Sequence, residues 1–290
     1  MHEPVLAAEV VAWLAPRPDG LYVDCTVGLG GHTAALVAAG AGRLLALDRD
    51  ADALAQARTR LGEAPGIEFV HEDYRRLAEV LDARRIAEVD GVVADLGVSS
   101  MQLDEPGRGF SFRAAGPLDM RMDQSRGATL AERLMDVAAE DLADVIWRFG
   151  EERHSRRVAR AVVAARDRGE LVDTAALASV VRRAAGGRGW QRIDPATRTF
   201  QALRIWVNEE LDGLEQFVET AWRRLARGGR LAVIAFHSLE DRVVKHTFRR
   251  LGETGEARVL TRRPVMPTEG ECERNSRARS ARLRVLEKAA

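Results

Sequence analysis

The segment Asp24-Cys25-Thr26-Val27-Gly28-Leu29-Gly30-Gly31 constrains this chain more than any other. It follows the apolar run Leu21-Tyr22-Val23 and leads into residues 32–39, which have helical character and end at Gly40. Glycines at a strand-to-helix turn adopt backbone conformations closed to other residues and let the chain approach a ligand closely. The alternation then repeats. Residues 43–47 are apolar and end at Asp48, residues 52–61 read as helix, and residues 67–70 form a third strand with Asp73 just beyond. Residues 74–81 are helical again, and residues 91–95 make a fourth strand that closes on Asp95. Strands alternating with helices through short links imply a parallel, doubly wound sheet.

The rhythm breaks near residue 104. A Gly/Phe loop, Gly107-Arg108-Gly109-Phe110-Ser111-Phe112, is followed by helical stretches at 139–149, 153–166 and 174–185. The sheet pattern resumes after a helix near 206–225, with a turn at Gly228-Gly229, a fifth strand at 230–236 and two more at 258–261 and 282–286. The expected fold is α/β: a Rossmann-like, mostly parallel doubly wound sheet carrying an all-helical insert domain. Residues 1–103 and 205–290 are expected to form one domain, and 104–204 the insert, which would recognise substrate.

Composition narrows the functional class. The 290 residues are 46% hydrophobic and 30% charged, which suits a folded core and excludes a disordered chain. No apolar run approaches the roughly 20 residues of a membrane span. Glu3 and Glu9, with no basic cluster beside them, do not make a secretory signal. Two cysteines, Cys25 and Cys272, are too few for a disulfide framework. A cytoplasmic location follows as the expectation. The formal charge is zero, but residues 1–147 hold 14 basic and 25 acidic residues, whereas 148–204 hold 13 and 6 and 241–290 hold 13 and 7. Forty-two of the 44 basic residues are arginine, which suits bidentate phosphate contacts.

The glycine turn is an incomplete dinucleotide fingerprint, because Thr33 stands where Gly-x-Gly-x-x-Gly has its last glycine. Asp24, four residues before Gly28, is instead an acid of the kind found in S-adenosylmethionine sites. Asp48 lies 20 residues beyond Gly28 at a strand end, where it can accept hydrogen bonds from ribose hydroxyls. Asp95 closes another strand at the same edge. S-adenosylmethionine is therefore favoured over NAD, with an NAD-dependent oxidoreductase kept as an alternative.

Longer motifs carry a resemblance. His2-Glu3-Pro4-Val5-Leu6, Val23-Asp24-Cys25-Thr26-Val27-Gly28-Leu29-Gly30-Gly31-His32 and Asp95-Leu96-Gly97-Val98-Ser99-Ser100 resemble the RsmH (MraW) family, the ribosomal RNA small subunit methyltransferases H. So do Asp119-Met120-Arg121-Met122-Asp123, Phe149-Gly150-Glu151-Glu152-Arg153, the run from Pro195 to Arg204, Phe236-His237-Ser238-Leu239-Glu240-Asp241-Arg242 and Arg277-Ala278-Arg279-Ser280. The resemblance covers essentially the whole chain. It implies an S-adenosylmethionine-dependent enzyme that methylates N4 of one cytidine in the decoding region of 16S rRNA. It implies that Gly30, Gly31 and His32 line the methionine end of the cofactor, that Asp48 holds its ribose, and that Asp95 and Gln102 complete the site. Tyr74 falls where family members often have Phe beside the adenine, Asp194 where they often have His, and Ser276 where they often have Pro. The partner would be 16S rRNA or the small ribosomal subunit, with the protein a monomer or homodimer and no membrane involved. A catalytically silent RNA-binding assembly factor is the alternative.

The chemistry makes demands of its own. A cytosine amine is a poor nucleophile because its lone pair is delocalised into the ring. A group accepting its hydrogen bond localises that pair and takes the proton. Asp95 is the candidate, although the Pro-Pro loop of other amino-methyltransferases is absent after it and a purely cofactor-binding role stays open. C5 methylation would need a cysteine nucleophile, and neither Cys25 nor Cys272 follows the fourth or fifth strand. His237-Ser238 suits either a wall of the target pocket or a helix cap, His154 reads as a surface group, and no metal-ligand spacing occurs. Arg153, Arg156, Arg157 and Arg160, then Arg182, Arg183, Arg188, Arg192, Arg198 and Arg204, with the basic run 274–284, suggest an RNA groove. Trp190, Phe110 and Phe112 are candidates to stack on a flipped base.

Overall fold

The computed structural model describes residues 4–62, 64, 66–186 and 194–289. His2, Glu3, Arg188, Trp190 and Arg192 lie outside the described residues. One sheet contains β1 (Leu21–Asp24), β2 (Arg43–Asp48), β3 (Ile67–His71), β4 (Val89–Asp95), β5 (Leu225–Ala235), β6 (Ala257–Val259) and β7 (Arg282–Lys288). Its order is β3-β2-β1-β4-β5-β7-β6; the first five are parallel, and β7 runs antiparallel to both its neighbours. The winding direction switches between β1 and β4. Ligands of open α/β sheets bind outside the carboxyl ends of the strands at such a point.

The central strands are near-continuous apolar runs because both their faces are covered. Alternation sends Val23, Val92, Leu231 and Val233 to a core with Leu77, Phe217 and Phe248. It sends Tyr22, Val93, Ala232 and Ile234 to a second core with Leu6, Leu14 and Leu36. No helix among the described residues is long and apolar enough to cross a membrane.

The chain divides into two compact units, Met1–Gly97 with Leu211–Ala290, and Val98–Glu210. The second begins before residue 104 and ends after residue 204, the bounds expected from the pattern. At its start, Ser99 caps the helix Ser100–Asp104. At its end, Asn208 accepts the Met122 N–H (2.7 Å) and donates to the Met120 carbonyl (2.7 Å). The helices Leu130–Asp136, Ala139–Gly150, Ser155–Asp167, Thr174–Ala185 and Ala196–Asn208 enclose a core of their own that includes Leu142, Ile146, Val158, Val162, Leu177 and Phe200.

The single helix expected near 206–225 is two. Glu209 (φ 51°) and Gly213 (φ 74°) are left-handed and end the hydrogen-bond ladder, so the second helix is Leu214–Arg223. Arg204 donates twice to Glu210 at 2.8 Å across the reversal. The apolar spacing runs through the break, so periodicity alone does not mark it.

Candidate active site

The glycine turn is built by hydrogen bonds to strand-end carboxylates. Cys25 N–H donates to Val93 O (2.9 Å) and Val27 N–H to Leu47 O (2.8 Å), which seats the turn between three strands. Gly28 N–H donates to Asp48 Oδ2 (2.7 Å), and Asp50 N–H to Asp48 Oδ1 (2.8 Å). Gly28 and Gly30 are left-handed, at φ 51° and 80°. A Cβ on Gly30 would lie 2.8 Å from Leu61 Cδ1, and one on Gly31 would lie 2.8 Å from Pro4 Cβ. The chain's own packing therefore demands glycine at 31, and backbone conformation demands it at 30.

Asp24 is fully buried. Its Oδ1 accepts the Thr26 N–H (3.1 Å) and its Oδ2 the Thr33 hydroxyl (2.8 Å). Burial pushes its pKa up, against the pull of His32, Thr33 and Thr26. Asp24 thus braces the turn from beneath. Replacing it with Ala is expected to destabilise the protein by about 2–3 kcal/mol, since two hydrogen bonds go and the buried Thr33 hydroxyl is orphaned. Asp24→Asn, which keeps an acceptor and drops the burial-disfavoured charge, should change stability by less than about 1 kcal/mol. Urea titrations of both variants check this, and equal losses would contradict it.

Asp95, at the end of β4, is half-buried, and its backbone N–H donates to Thr26 Oγ1 (2.7 Å). Its Oδ2 lies 3.4 Å from His32 Nε2. His32 sits in the first turn of the helix Gly31–Ala38, 4% exposed. Among the described residues, Asp95 Oδ1 and both ring nitrogens of His32 are buried without a formed hydrogen bond. Burial works to lower the His32 pKa, but Asp95, Asp24 and Glu271 outweigh it and leave the imidazole above its ordinary value.

Tyr74 opens the short 3-10 turn Tyr74–Arg76 beyond β3. Its ring packs on Phe217 at 4.6 Å between centroids, and burial, the leading cause, drives its phenol pKa well up, so it stays neutral. Asp73 beside it is gripped by Arg75 (2.7 and 2.9 Å) and approached by Arg49 (3.6 Å). Asp73 therefore shapes this corner through its arginines. Gln102 belongs to the other unit, where its Oε1 accepts the Ser99 N–H (3.0 Å) in a capping box. The structure thus gathers the glycine turn, His32, Asp48 and Asp95 at one sheet edge.

The model of the MraW methylase family matches residues 1–289. The chain belongs to the MraW methylase family. Its curated relatives include the ribosomal RNA small subunit methyltransferase H of Sorangium cellulosum, 53% identical over 98% of this chain and 89% of that protein. The proteins of that name from Nitrobacter winogradskyi and Nitratidesulfovibrio vulgaris are 50% and 49% identical, covering 99% and 100% of this chain and 90% and 86% of theirs. This MraW-family protein is an S-adenosylmethionine-dependent methyltransferase of Rossmann-like fold. Its site suits that cofactor: Asp48 is a carboxylate at the second strand end, and Asp95 Oδ1 and the His32 ring nitrogens are buried polar atoms without a formed hydrogen bond among the described residues.

One role was not legible in the sequence of this MraW-family protein. Thr26, which fixes the Asp95 backbone, looks like a filler between motif residues. Of the two readings of His237-Ser238, the structure forms the helix cap: His237 Nδ1 accepts the Glu240 N–H (3.3 Å), and Glu240 Oε2 accepts the Phe236 N–H (2.9 Å). The spacing His-x-x-Glu before an apolar helix is the signal, with His in the place of the usual Ser or Thr. Phe110 and Phe112 are packing residues of the helical unit, Phe112 lying 4.8 Å from Phe200 with Arg182 over its ring. His154 is an exposed group, as expected.

Proposed function

We propose that this MraW-family enzyme methylates the exocyclic N4 of one cytidine in the decoding region of 16S rRNA, acting on the small ribosomal subunit. The names of its relatives supply the rRNA, and the chemistry at β4 supports an amine. The observation that carries the reading is Asp95 Oδ1, a buried carboxylate oxygen with no hydrogen-bond partner among the described residues, at the edge where two carboxylates and a glycine turn meet.

When bound, the cofactor supplies an electrophilic methyl group on a sulfonium sulfur. Asp48 would hold the ribose hydroxyls, Tyr74 would offer its ring to the adenine, and Gly30, Gly31 and His32 would line the methionine end. Gln102 is assigned to the cofactor by resemblance alone. Asp95 accepts a hydrogen bond from the N4 amine, which localises the nitrogen lone pair for attack and receives the proton that the amine must lose. Asp95 has the position and the free acceptor for this; the Thr26 hydroxyl fixes the backbone that carries it.

The cysteines argue against C5 chemistry. Cys25 is buried beneath the turn, and burial raises its pKa well above the usual thiol range, so it stays protonated and non-nucleophilic. Cys25→Ala and Cys272→Ala are each expected to retain methyl transfer within about threefold of the wild-type rate. The test of the whole reading is transfer of labelled methyl to small subunits lacking the modification, followed by nucleoside mass spectrometry. N4-methylcytidine supports it. Label in 5-methylcytidine overturns the target atom, and no label in subunits or free rRNA overturns the substrate.

A further inference from the structure

The helical unit sorts its arginines into two kinds. Most are engaged within the unit. Arg182 donates to Asp194 (2.8 to 3.1 Å), Arg204 to Glu210, Arg168 to Glu170, and Arg121 to Asp119. Arg157 donates to the Ala185 carbonyl (2.6 Å), and Arg166 to those of Leu134 and Val137. These would have to break an ion pair or uncap a helix to meet a ligand. Arg153, Arg156 and Arg198 are different: all three are exposed, and none has a side-chain hydrogen bond or ion pair among the described residues.

These three share one corner; Arg113, also exposed and unengaged among the described residues, belongs to the Gly/Phe loop. Gly150 ends the helix Ala139–Gly150, and a Cβ there would lie 2.5 Å from the Arg198 carbonyl, so the two backbones touch. Gln201 Nε2 donates to Phe149 O (3.1 Å) and ties the same crossing together. Glu151, left-handed at φ 50°, turns the chain sharply so that Arg153 follows within three residues of Gly150. Arg156 then stands in the first turn of the helix Ser155–Asp167, opposite its buried stripe of Ser155, Val158, Ala159 and Val162. Arg148, exposed on the last turn of the preceding helix, stacks over the neighbouring Phe149 ring at 5.4 Å. Of the two acids in the turn, Glu152 is buried and accepts the His154 N–H (2.8 Å). On that same last helical turn the Trp147 indole is 56% exposed.

We propose that this corner, centred on Gly150, is where the enzyme grips the RNA phosphate backbone, with Arg153, Arg156 and Arg198 on phosphates and Trp147 stacking on an unpaired base. The proposal rests on the rRNA reading above. Guanidinium groups with no internal partner meet phosphates without losing an ion pair, and they present two parallel donors to each. An exposed indole beside them has the geometry of a single-strand stacking platform.

The test is fluorescence anisotropy with two probes, a hairpin carrying the decoding region and an unrelated single strand of equal length. The combined variant Arg153→Gln, Arg156→Gln, Arg198→Gln is expected to bind both RNAs about 10- to 100-fold more weakly. Its log affinity against log salt should be shallower by about 2–3, since each lost phosphate contact removes roughly 0.7–0.9 from the slope. Trp147→Ala should weaken binding with the slope unchanged, because stacking displaces no counterions. Arg168→Gln, an exposed arginine already held by Glu170, should bind as wild type. S-adenosylmethionine affinity and thermal stability should hold in all of them. A triple variant with wild-type affinity and slope overturns the patch while leaving the rRNA reading intact. Normal binding to naked RNA with loss of transfer to intact subunits also overturns it, in favour of a protein contact. A wild type that binds neither RNA and modifies no subunit overturns the rRNA reading itself.

Discussion

Asp95→Asn is expected to lower the methyl-transfer rate about 1,000-fold, within the range that a positioned general base contributes. The substitution changes little else. The backbone N–H of residue 95 still donates to Thr26 Oγ1, so the end of β4 stays in place. The amide is close to isosteric with the carboxylate and can still face His32 across the present 3.4 Å. What it loses is the ability to take a proton, and it no longer offers two acceptor oxygens. The rate of the chemical step should therefore collapse, while cofactor affinity falls by less than about tenfold. Single-turnover transfer to unmodified subunits gives the first quantity and calorimetry the second. A rate within tenfold of wild type would mean that Asp95 only helps to bind the cofactor. An affinity loss equal to the rate loss would lead to the same conclusion.

The legible part of this molecule is the part governed by local rules. β1, β2 and β4 are short apolar runs bounded by Gly and Asp, so each strand and its terminal carboxylate can be read directly. The sheet edge that collects Asp48 and Asp95 follows from parallel winding, since every parallel strand then ends on the same side. Less legible is what each acid does once there. Asp24, Asp48, Asp73 and Asp95 look equivalent in sequence, yet Asp24 is consumed beneath the turn and Asp73 by Arg75. Only long-range packing decides this, because the partners come from other elements. The break at Glu209 is hidden for a similar reason: a non-glycine residue in the left-handed region is held by contacts such as Arg204 on Glu210, with no local signature. The arginines show the same limit. Spacing places Arg153, Arg156, Arg157 and Arg160 on one basic helix, but Arg157 caps a neighbouring helix and Arg160 donates to the Arg156 carbonyl.

Asp48 gives the second large effect, and it depends on pH. The half-buried carboxylate sits at about pKa 6, raised by burial against the two backbone N–H groups of Asp50 and Gly28. Its folded pKa thus exceeds its unfolded one. The stability this contributes is fully present below the unfolded pKa, near 4, and is lost as pH rises through about 6. The charge is therefore held at a cost in the free protein, and ribose hydroxyls donating to it in the proposed complex would offset that cost. Binding favours the ionised form, so cofactor affinity should fall about tenfold per pH unit below 6, and binding near pH 6 should release a proton. The thermal stabilisation given by the cofactor should accordingly grow as pH is raised from about 5 to about 7. Asp48→Ala removes two charge-assisted hydrogen bonds at roughly 1.5–3 kcal/mol each, which predicts an affinity loss of about 100-fold or more. Asp48→Asn should lose less than this and, lacking the titrating group, should bind with an affinity that no longer changes across pH 6. Calorimetry in two buffers of different ionisation enthalpy reads the proton directly. A wild-type affinity that is flat from about pH 5 to about pH 8 would place the ribose elsewhere than on Asp48.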